Sequence, residues 1–187
     1  MKMPSDRALV RKFQRGDPEA LLEIYQRYRD YLLSVAMALV CDTNCAEDAV
    51  HDVFVFLAQK RQEFRFRGNL KACLAVSVVN RTRDLLRRQQ VRAAAPLDPD
   101  AEIVSKSPAP EQTAMLNEQC RRLAAVLGQL PQEQREVLVL RHKCGLPLRE
   151  IANIQQTGIS TVHARYRYAL NTLRALMNGE LDDETEA

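Results

Sequence analysis

Apolar residues recur along most of this chain at intervals of three and four, the spacing that puts side chains on one face of an α-helix. Nowhere do they alternate for the length of a strand. Leu21, Leu22, Tyr25, Tyr28, Leu32 and Val35 form one such stripe, opened by Asp17 as N-cap and by Pro18 at the first helical position, where its missing N–H costs nothing. After a break at CDTN, Asn44 and Glu47 have the spacing of a capping box and launch a helix through AEDAVHDVFVFLA. Gly68 and Asn69 suit a turn, and another helix follows over residues 70–92. In the second half, Leu116, Cys120, Leu123 and Leu127 share a face of a helix ending near Gly128. Pro131 opens the next, with Val137, Leu138 and Leu140 as its apolar contacts and Gly145 as its stop.

Residues 93–112, AAAPLDPDAEIVSKSPAPEQ, break the periodicity and hold four of the chain's eight prolines. Proline fixes φ and removes an amide donor, so neither helix nor strand should persist there. The predicted fold is all-α: a helical domain over residues 1–92, a Pro-rich linker over 93–112, a second helical domain over 113–178 and an acidic tail over 179–187.

Charge sharpens that division. Residues 1–92 carry 17 Lys and Arg against 11 Asp and Glu, and residues 119–178 carry 9 against 3. Residues 93–118 carry 1 against 5 and the tail 0 against 5, leaving the net +3 of the whole chain. Two basic modules around an acidic joint are what two separate contacts with a polyanion require. No apolar run approaches the roughly 18 residues of a membrane span, and the N-terminus has no apolar signal region, so a cytoplasmic protein without membrane insertion is expected. Five cysteines without a scaffold rhythm suit reduced thiols. Cys41, Cys45 and His51 lack the second close Cys or His pair that a tetrahedral site needs, so no metal and no cofactor is expected.

The stretch REIANIQQTGISTVHARYRYAL has the layout of a helix-turn-helix, in which one helix crosses the DNA backbone and the next enters the major groove. Ala152 is the small residue that lets the helices cross closely, and Val162 packs back from the second helix. Val162, Tyr166, Ala169 or Leu170, Leu173 and Leu176 make that helix's buried stripe, leaving Ser160, Thr161, His163, Arg165 and Arg167 outward. Those side chains bond phosphates and base edges. Gln155 and Gln156 stand where such motifs place an apolar residue and a turn glycine, so the turn is expected to be reshaped around Gly158.

The succession AEDAVHDVFVFLA, NLKACLAVSVVNRTRDLLRRQ, a proline-rich linker, LPQEQREVLVLRHKCGLPLREIA and STVHARYRYALNTLR resembles a bacterial RNA polymerase sigma factor of the extracytoplasmic-function (ECF) group, in the sigma-70 family. The resemblance covers nearly the whole chain except linker and tail. It implies a non-enzymatic subunit that binds core RNA polymerase and brings it to promoter DNA, with an anti-sigma factor as a possible further partner. The first domain would be the sigma-2 module, reading and opening the downstream (-10) element, and the second the sigma-4 module, reading the upstream (-35) element.

By that resemblance the helix over residues 45–59 faces the polymerase clamp helices through Asp48, His51, Asp52 and Phe56. The -10 contacts fall on Arg67, Asn69 and Lys71, in a turn over residues 65–71 that lines a pocket for an unstacked nucleotide, and on Asn80, Arg81, Arg83, Arg87 and Arg88. The -35 contacts fall on Arg149, Ser160, Thr161, His163, Arg165 and Arg167, with Arg141 and Lys143 before them as phosphate contacts; Tyr166 and Tyr168 are expected to pack or touch backbone. Departures from the family are Cys73 where tryptophan is common, in a chain without Trp, and Val76 and Val79 at positions often basic. The alternatives are an autonomous helix-turn-helix regulator and, from another class, a helical enzyme or metal protein. No Ser-His-Asp set, phosphate loop or metal spacing supports the last.

Overall fold

The computed structural model describes residues 4–64, 68–94 and 118–178, and every regular element among them is helical. The expected linker, apart from its first two residues, and the acidic tail lie outside the described residues.

Helix α1 (Asp6–Gln14) starts on Ser5, whose hydroxyl accepts from the Ala8 amide, and buries Leu9, Val10 and Phe13. Helix α2 (Pro18–Val40) begins as its sequence dictates, with the Asp17 carboxylate accepting from the Glu19 amide at 3.0 Å and Pro18 in the first turn. Its buried stripe is Ala20, Ile24, Tyr28, Leu32, Val35, Ala36 and Leu39. That face is rotated from the expected one: Ile24 replaces Leu22, which is 55% exposed, because Ala20 and Ile24 are the residues that continue the Tyr28–Leu32 line one turn back. The helix ends on Cys41 in the left-handed region, φ 54°.

Helix α3 (Thr43–Gln59) is capped by Asp42, whose Oδ1 accepts from the Cys45 amide at 2.7 Å. The expected capping box from Asn44 to Glu47 is not formed, since Asn44 is already inside the helix. Ala46, Ala49, Val50, Val53, Phe54 and Leu57 pack inward. Helix α4 (Leu70–Ala94) opens with the Asn69 side chain accepting from the Ala72 amide and buries Leu70, Leu74, Ala75, Val78, Val79 and Thr82 between α2 and α3. It runs two residues past the expected linker boundary.

Helix α5 (Glu118–Gln129) buries Val126 and is followed by buried Leu130. Leu123, assigned to the apolar face from spacing, is 41% exposed. Helix α6 (Gln132–Leu138) starts after Pro131 and continues as a π-helical turn, Val139–Lys143, closed by Gly145 at φ 71°. Helix α7 (Leu148–Ile154) and helix α8 (Ile159–Asn178) complete the chain's described part. Leu130, Leu138 and Ala169 form a small core joining α5, α6 and α8, with Leu127, Tyr166, Leu170 and Leu173 against it.

The larger core does not stop at the domain division. Val137, Val139, Leu140, Leu146, Ile151, Ala152 and Val162 belong to the same cluster as the inward residues of α1 to α4. Helix α2 touches α5, α6 and the π-turn directly.

Candidate nucleic-acid and polymerase interfaces

The helix-turn-helix forms where the pattern placed it. Ala152, 6% exposed, and Val162, fully buried, meet at the crossing of α7 and α8. The turn differs from expectation: the left-handed residue is Gln156, φ 51°, and Gly158 carries no positive φ. Gln156 thus takes the conformation a turn glycine would adopt, and the turn keeps its usual length. Its amide donates to the Asn153 carbonyl, and the Thr157 amide to the Ala152 carbonyl, which fixes the bend without glycine.

Ser160, Thr161, His163 and Arg167 lie exposed along the start of α8, and Arg149 is exposed at the head of α7. Arg165 departs from its expected outward pose. It is half-buried and its guanidinium donates to Gln155 Oε1 at 2.9 Å. Gln155 in turn donates to the Glu133 carbonyl at 3.0 Å and to Glu136 Oε2 at 3.1 Å. Tyr166 stacks on His142, with its hydroxyl 3.1 Å from Nε2, so it packs as expected, while Tyr168 is 58% exposed. Arg141 donates to the Leu146 carbonyl, and Lys143 reaches the Ser34 carbonyl on α2 at 2.8 Å.

Helix α4 splits its basic residues. Asn80, Arg87 and Arg88 are exposed, and Arg87 and Arg88 line a shallow cleft with Asp84 and Val91. Lys71 lies over the Tyr31 ring at 4.0 Å. Arg81 and Arg83, by contrast, are engaged. Arg81 donates through Nε to Asp52 Oδ2 at 2.7 Å, and its second guanidinium nitrogen bonds the same oxygen. Arg83 makes a two-point pair with Glu136, at 3.0 and 2.6 Å, and a longer bond to the Ile154 carbonyl. The bond to Glu136 raises the Arg83 guanidinium above its ordinary value. Arg67 lies outside the described residues. Val79 is fully buried, so its position has no access to DNA whatever its chemistry, and Cys73 is half-buried.

On α3, Asp48, His51 and Phe56 face outward, with Phe56 60% exposed beside Val55 at 38%. Asp52 does not stand free with them, because its carboxylate is paired with Arg81. Cys41, Cys45 and His51 do not assemble a site; among the described residues no three His, Cys, Asp or Glu side chains gather as metal ligands. Burial pushes the Cys45, Cys73 and Cys144 thiols up, keeping them protonated and poorly nucleophilic.

An exposed polar face at a helix-turn-helix and a row of guanidinium groups on α4 belong to two modules, and each module matches a known family description. Residues 24–92 match Sigma-70 region 2 and residues 126–175 match Sigma-70, region 4, together more than half of the chain. The chain belongs to the sigma-70 family. The relatives it is similar to include sigma factors of the ECF group. It is 26% identical over 175 residues to the ECF RNA polymerase sigma factor SigK of Mycobacterium tuberculosis, covering 89% of this chain and 90% of that one. It is 26% identical over 183 residues to the RNA polymerase sigma factor CnrH of Cupriavidus metallidurans, covering 94% and 96%. The fold is that of CnrH solved with the cytosolic domain of CnrY, at a TM-score of 0.66 and 23% identity, covering 93% of this chain and 97% of that one. It is also similar to the sigma factor RpoE solved with the anti-sigma factor NepR from Bartonella quintana, with a TM-score of 0.63, 25% identity and coverage of 83% and 95%. Sigma factors serve transcription initiation and are not enzymes, and this one is an all-α, two-domain member. No helix among its described residues is long and apolar enough to cross a membrane.

Three residues of this sigma factor carry its site architecture without having been singled out for it. Glu136 is buried at 2% exposure and gathers bonds from Arg83, Gln132 and Gln155. Its sequence signal is a lone acid entering the apolar run VLVL. Arg135 gives its guanidinium to the Leu39, Gly128 and Leu130 carbonyls. Gln155 was visible only as a departure from the motif.

Proposed function

We propose that this chain is a dissociable initiation subunit, located in the cytoplasm, that binds core RNA polymerase and directs it to promoters by reading two DNA elements. The -35 duplex is read by α8, with His163 and Arg165 at base edges, Ser160 and Thr161 at the helix N-terminus, and Arg149 and Arg167 on phosphates. The -10 element is read by α4 and the turn before it, through Arg67, Asn69, Lys71, Asn80, Arg81, Arg83, Arg87 and Arg88. Strand opening is then binding rather than chemistry, since an unstacked base is captured only when it leaves the duplex. Asp48, His51, Asp52 and Phe56 on α3 present acids and an exposed ring to a basic partner surface on the polymerase. As RpoE from Bartonella quintana was solved with an anti-sigma factor, we extend that partner class to this chain.

The observation that carries the reading is the exposed, acid-free opening of α8, where Ser160, Thr161, His163 and Arg167 all face solvent in a domain that matches region 4. Transcription reconstituted from core polymerase and this chain on genomic fragments is the test. Promoter-specific starts with footprints over two separated elements are expected. Absence of specific starts on every template, or tight operator binding without polymerase, would favour an autonomous helix-turn-helix regulator instead.

A further inference from the structure

Helix α1 sorts its charges by face. Leu9, Val10 and Phe13 are buried, and Asp6, the helix's one acid, turns the same way, toward α2, where it accepts from the Tyr28 hydroxyl and pairs with Arg27. Arg7, Arg11, Lys12 and Arg15 are all exposed. At 3.6 residues per turn, Arg7, Arg11 and Arg15 run along the side opposite the apolar stripe, with Lys12 beside them. None of the four is held by an ion pair among the described residues. Arg61, exposed just past the end of α3, adds a further cation: its guanidinium lies against Gly16, next to Arg15, where a Cβ would come within 2.8 Å of it.

Like charges four residues apart weaken a helix, so stability alone does not favour this row. Its place in the fold supplies a use. The Gln14 side chain donates to the Phe64 carbonyl at 2.7 Å, and the Phe13 and Phe64 rings meet edge-on at 6.3 Å. Phe64 leads straight into residues 65–71, the turn proposed above to hold an unstacked base. The basic row therefore ends where that pocket begins, although 50 positions separate Gln14 from Phe64. Its spacing fits as well. Residues four apart lie about 6 Å apart along the helix axis, close to the interval between successive phosphates of an extended strand. Single-strand sites combine stacked bases with a basic surface that follows the backbone, and α1, whose one aromatic side chain is buried, offers only the second.

We propose that the outer face of α1, Arg7, Arg11 and Arg15 with Lys12 and Arg61, is a phosphate track that holds the backbone of the separated promoter strand where it leaves the -10 pocket. The identity of the strand rests on the promoter-reading function given above. The grip is independent of sequence, so it slows reclosing of the duplex without choosing the bases that α4 and α8 read.

The free full chain and a labelled oligo-dT test the face without any promoter. Arg11→Gln together with Arg15→Gln should weaken binding roughly tenfold at low salt and lower the logarithmic salt slope by about 1.4, two counterions at about 0.7 each. Arg29→Gln together with Arg174→Gln removes the same charge from α2 and α8 and should leave both quantities nearly unchanged. The wild type should lose the oligonucleotide when its linkages are neutral methylphosphonates. Equal weakening by the two pairs, or wild-type affinity in the α1 pair, overturns the proposal. Should Arg15→Gln loosen the helix end in a circular-dichroism melt, Arg7→Gln with Arg11→Gln takes its place and decides. In reconstituted holoenzyme on an active genomic fragment, the α1 pair should shorten the lifetime of heparin-challenged open complexes several-fold, with the upstream footprint and core binding as in the wild type. Unchanged lifetimes overturn the track. Weaker binding to core polymerase with unchanged oligo-dT binding would make α1 a protein-docking face and overturn it too. Binding to oligo-dT that depends on α1, in a chain that starts no promoter, would count against the function and leave the phosphate face standing.

Discussion

Gln155 is the residue at which this sigma factor parts most informatively from a generic helix-turn-helix. An apolar side chain there would only fill space, but this amide ties Arg165 to Glu136 and to the Glu133 carbonyl. Gln155→Leu should therefore keep the fold and free the Arg165 guanidinium to choose new partners. The expected outcome is a changed base preference in the upstream element, by about 1 kcal/mol or more at the positions facing Arg165, measured by selecting duplexes bound by the holoenzyme. Unchanged preference with uniformly weaker binding would mean that Arg165 touches only phosphate. Asp52 shows the same lesson in the other domain. Because it is bonded to Arg81, replacing it perturbs α4 as well as α3, so it is a poor probe of polymerase binding alone, whereas Asp48 and Phe56 stand clear.

At the scale of elements, helix ends separate local rules that hold from those that compete. Asp42 and Asn44 both qualify as N-caps by residue type, and the structure uses Asp42. Asp42→Ala should cost about 1 kcal/mol of stability in denaturant titrations, while Asn44→Ala should be nearly neutral. Helix α1 is tied to α2 by a different device, the Tyr28 hydroxyl donating to Asp6 at 2.7 Å. Burial first, and that bond second, push the Tyr28 phenol from 10.0 up to about 12. Because the folded value is the higher one, the stabilisation is complete below pH 10 and is lost as pH rises toward 12. Comparing urea midpoints at pH 9 and pH 11, the wild type should fall more than Tyr28→Phe does.

From α2 onward the order of the helices was legible, since periods of three and four mark an amphipathic helix regardless of neighbours, whereas α1 and the π-helical turn after α6 were not singled out. Which residues of a stripe go inside was less so. Leu22 and Leu123 fit their stripes by spacing alone, yet both are exposed, because the facing helices are met by Ile24 and Val126. The helix-turn-helix was legible from Ala152 and Val162, but its turn was not. A glutamine in the left-handed region costs energy that the residue pattern does not signal, and the turn is held by local backbone bonds from Gln156 to Asn153 and from Thr157 to Ala152.

Over the whole molecule, the two modules and their order could be read in the chain, and their docking could not. Arg83 and Glu136 are 53 positions apart, Leu39 and Arg135 are 96 apart, and no local periodicity links such pairs. Charge counts even pointed the other way, since two net-basic blocks should repel; the contact works because a single buried acid meets one guanidinium within them. A consequence at this scale is salt dependence. If the exposed Arg87 and Arg88 of α4 and the start of α8 reach phosphates as proposed, the holoenzyme should lose promoter affinity steeply with ionic strength, and Arg87→Ala should reduce the logarithmic slope by about 0.7 to 0.9. A slope unchanged by Arg87→Ala would remove that residue from the DNA contact.

The bond from Arg135 to the Leu39 carbonyl bears on how the gene may be dissected. One carbonyl near the end of helix α2 is satisfied by a side chain synthesised almost a hundred residues after it, so ribosomes finish the helix before that donor exists. An N-terminal fragment expressed alone leaves the Leu39 carbonyl without its Arg135 donor, and complementation or pull-down experiments with severed halves would describe a weaker object than the intact polypeptide.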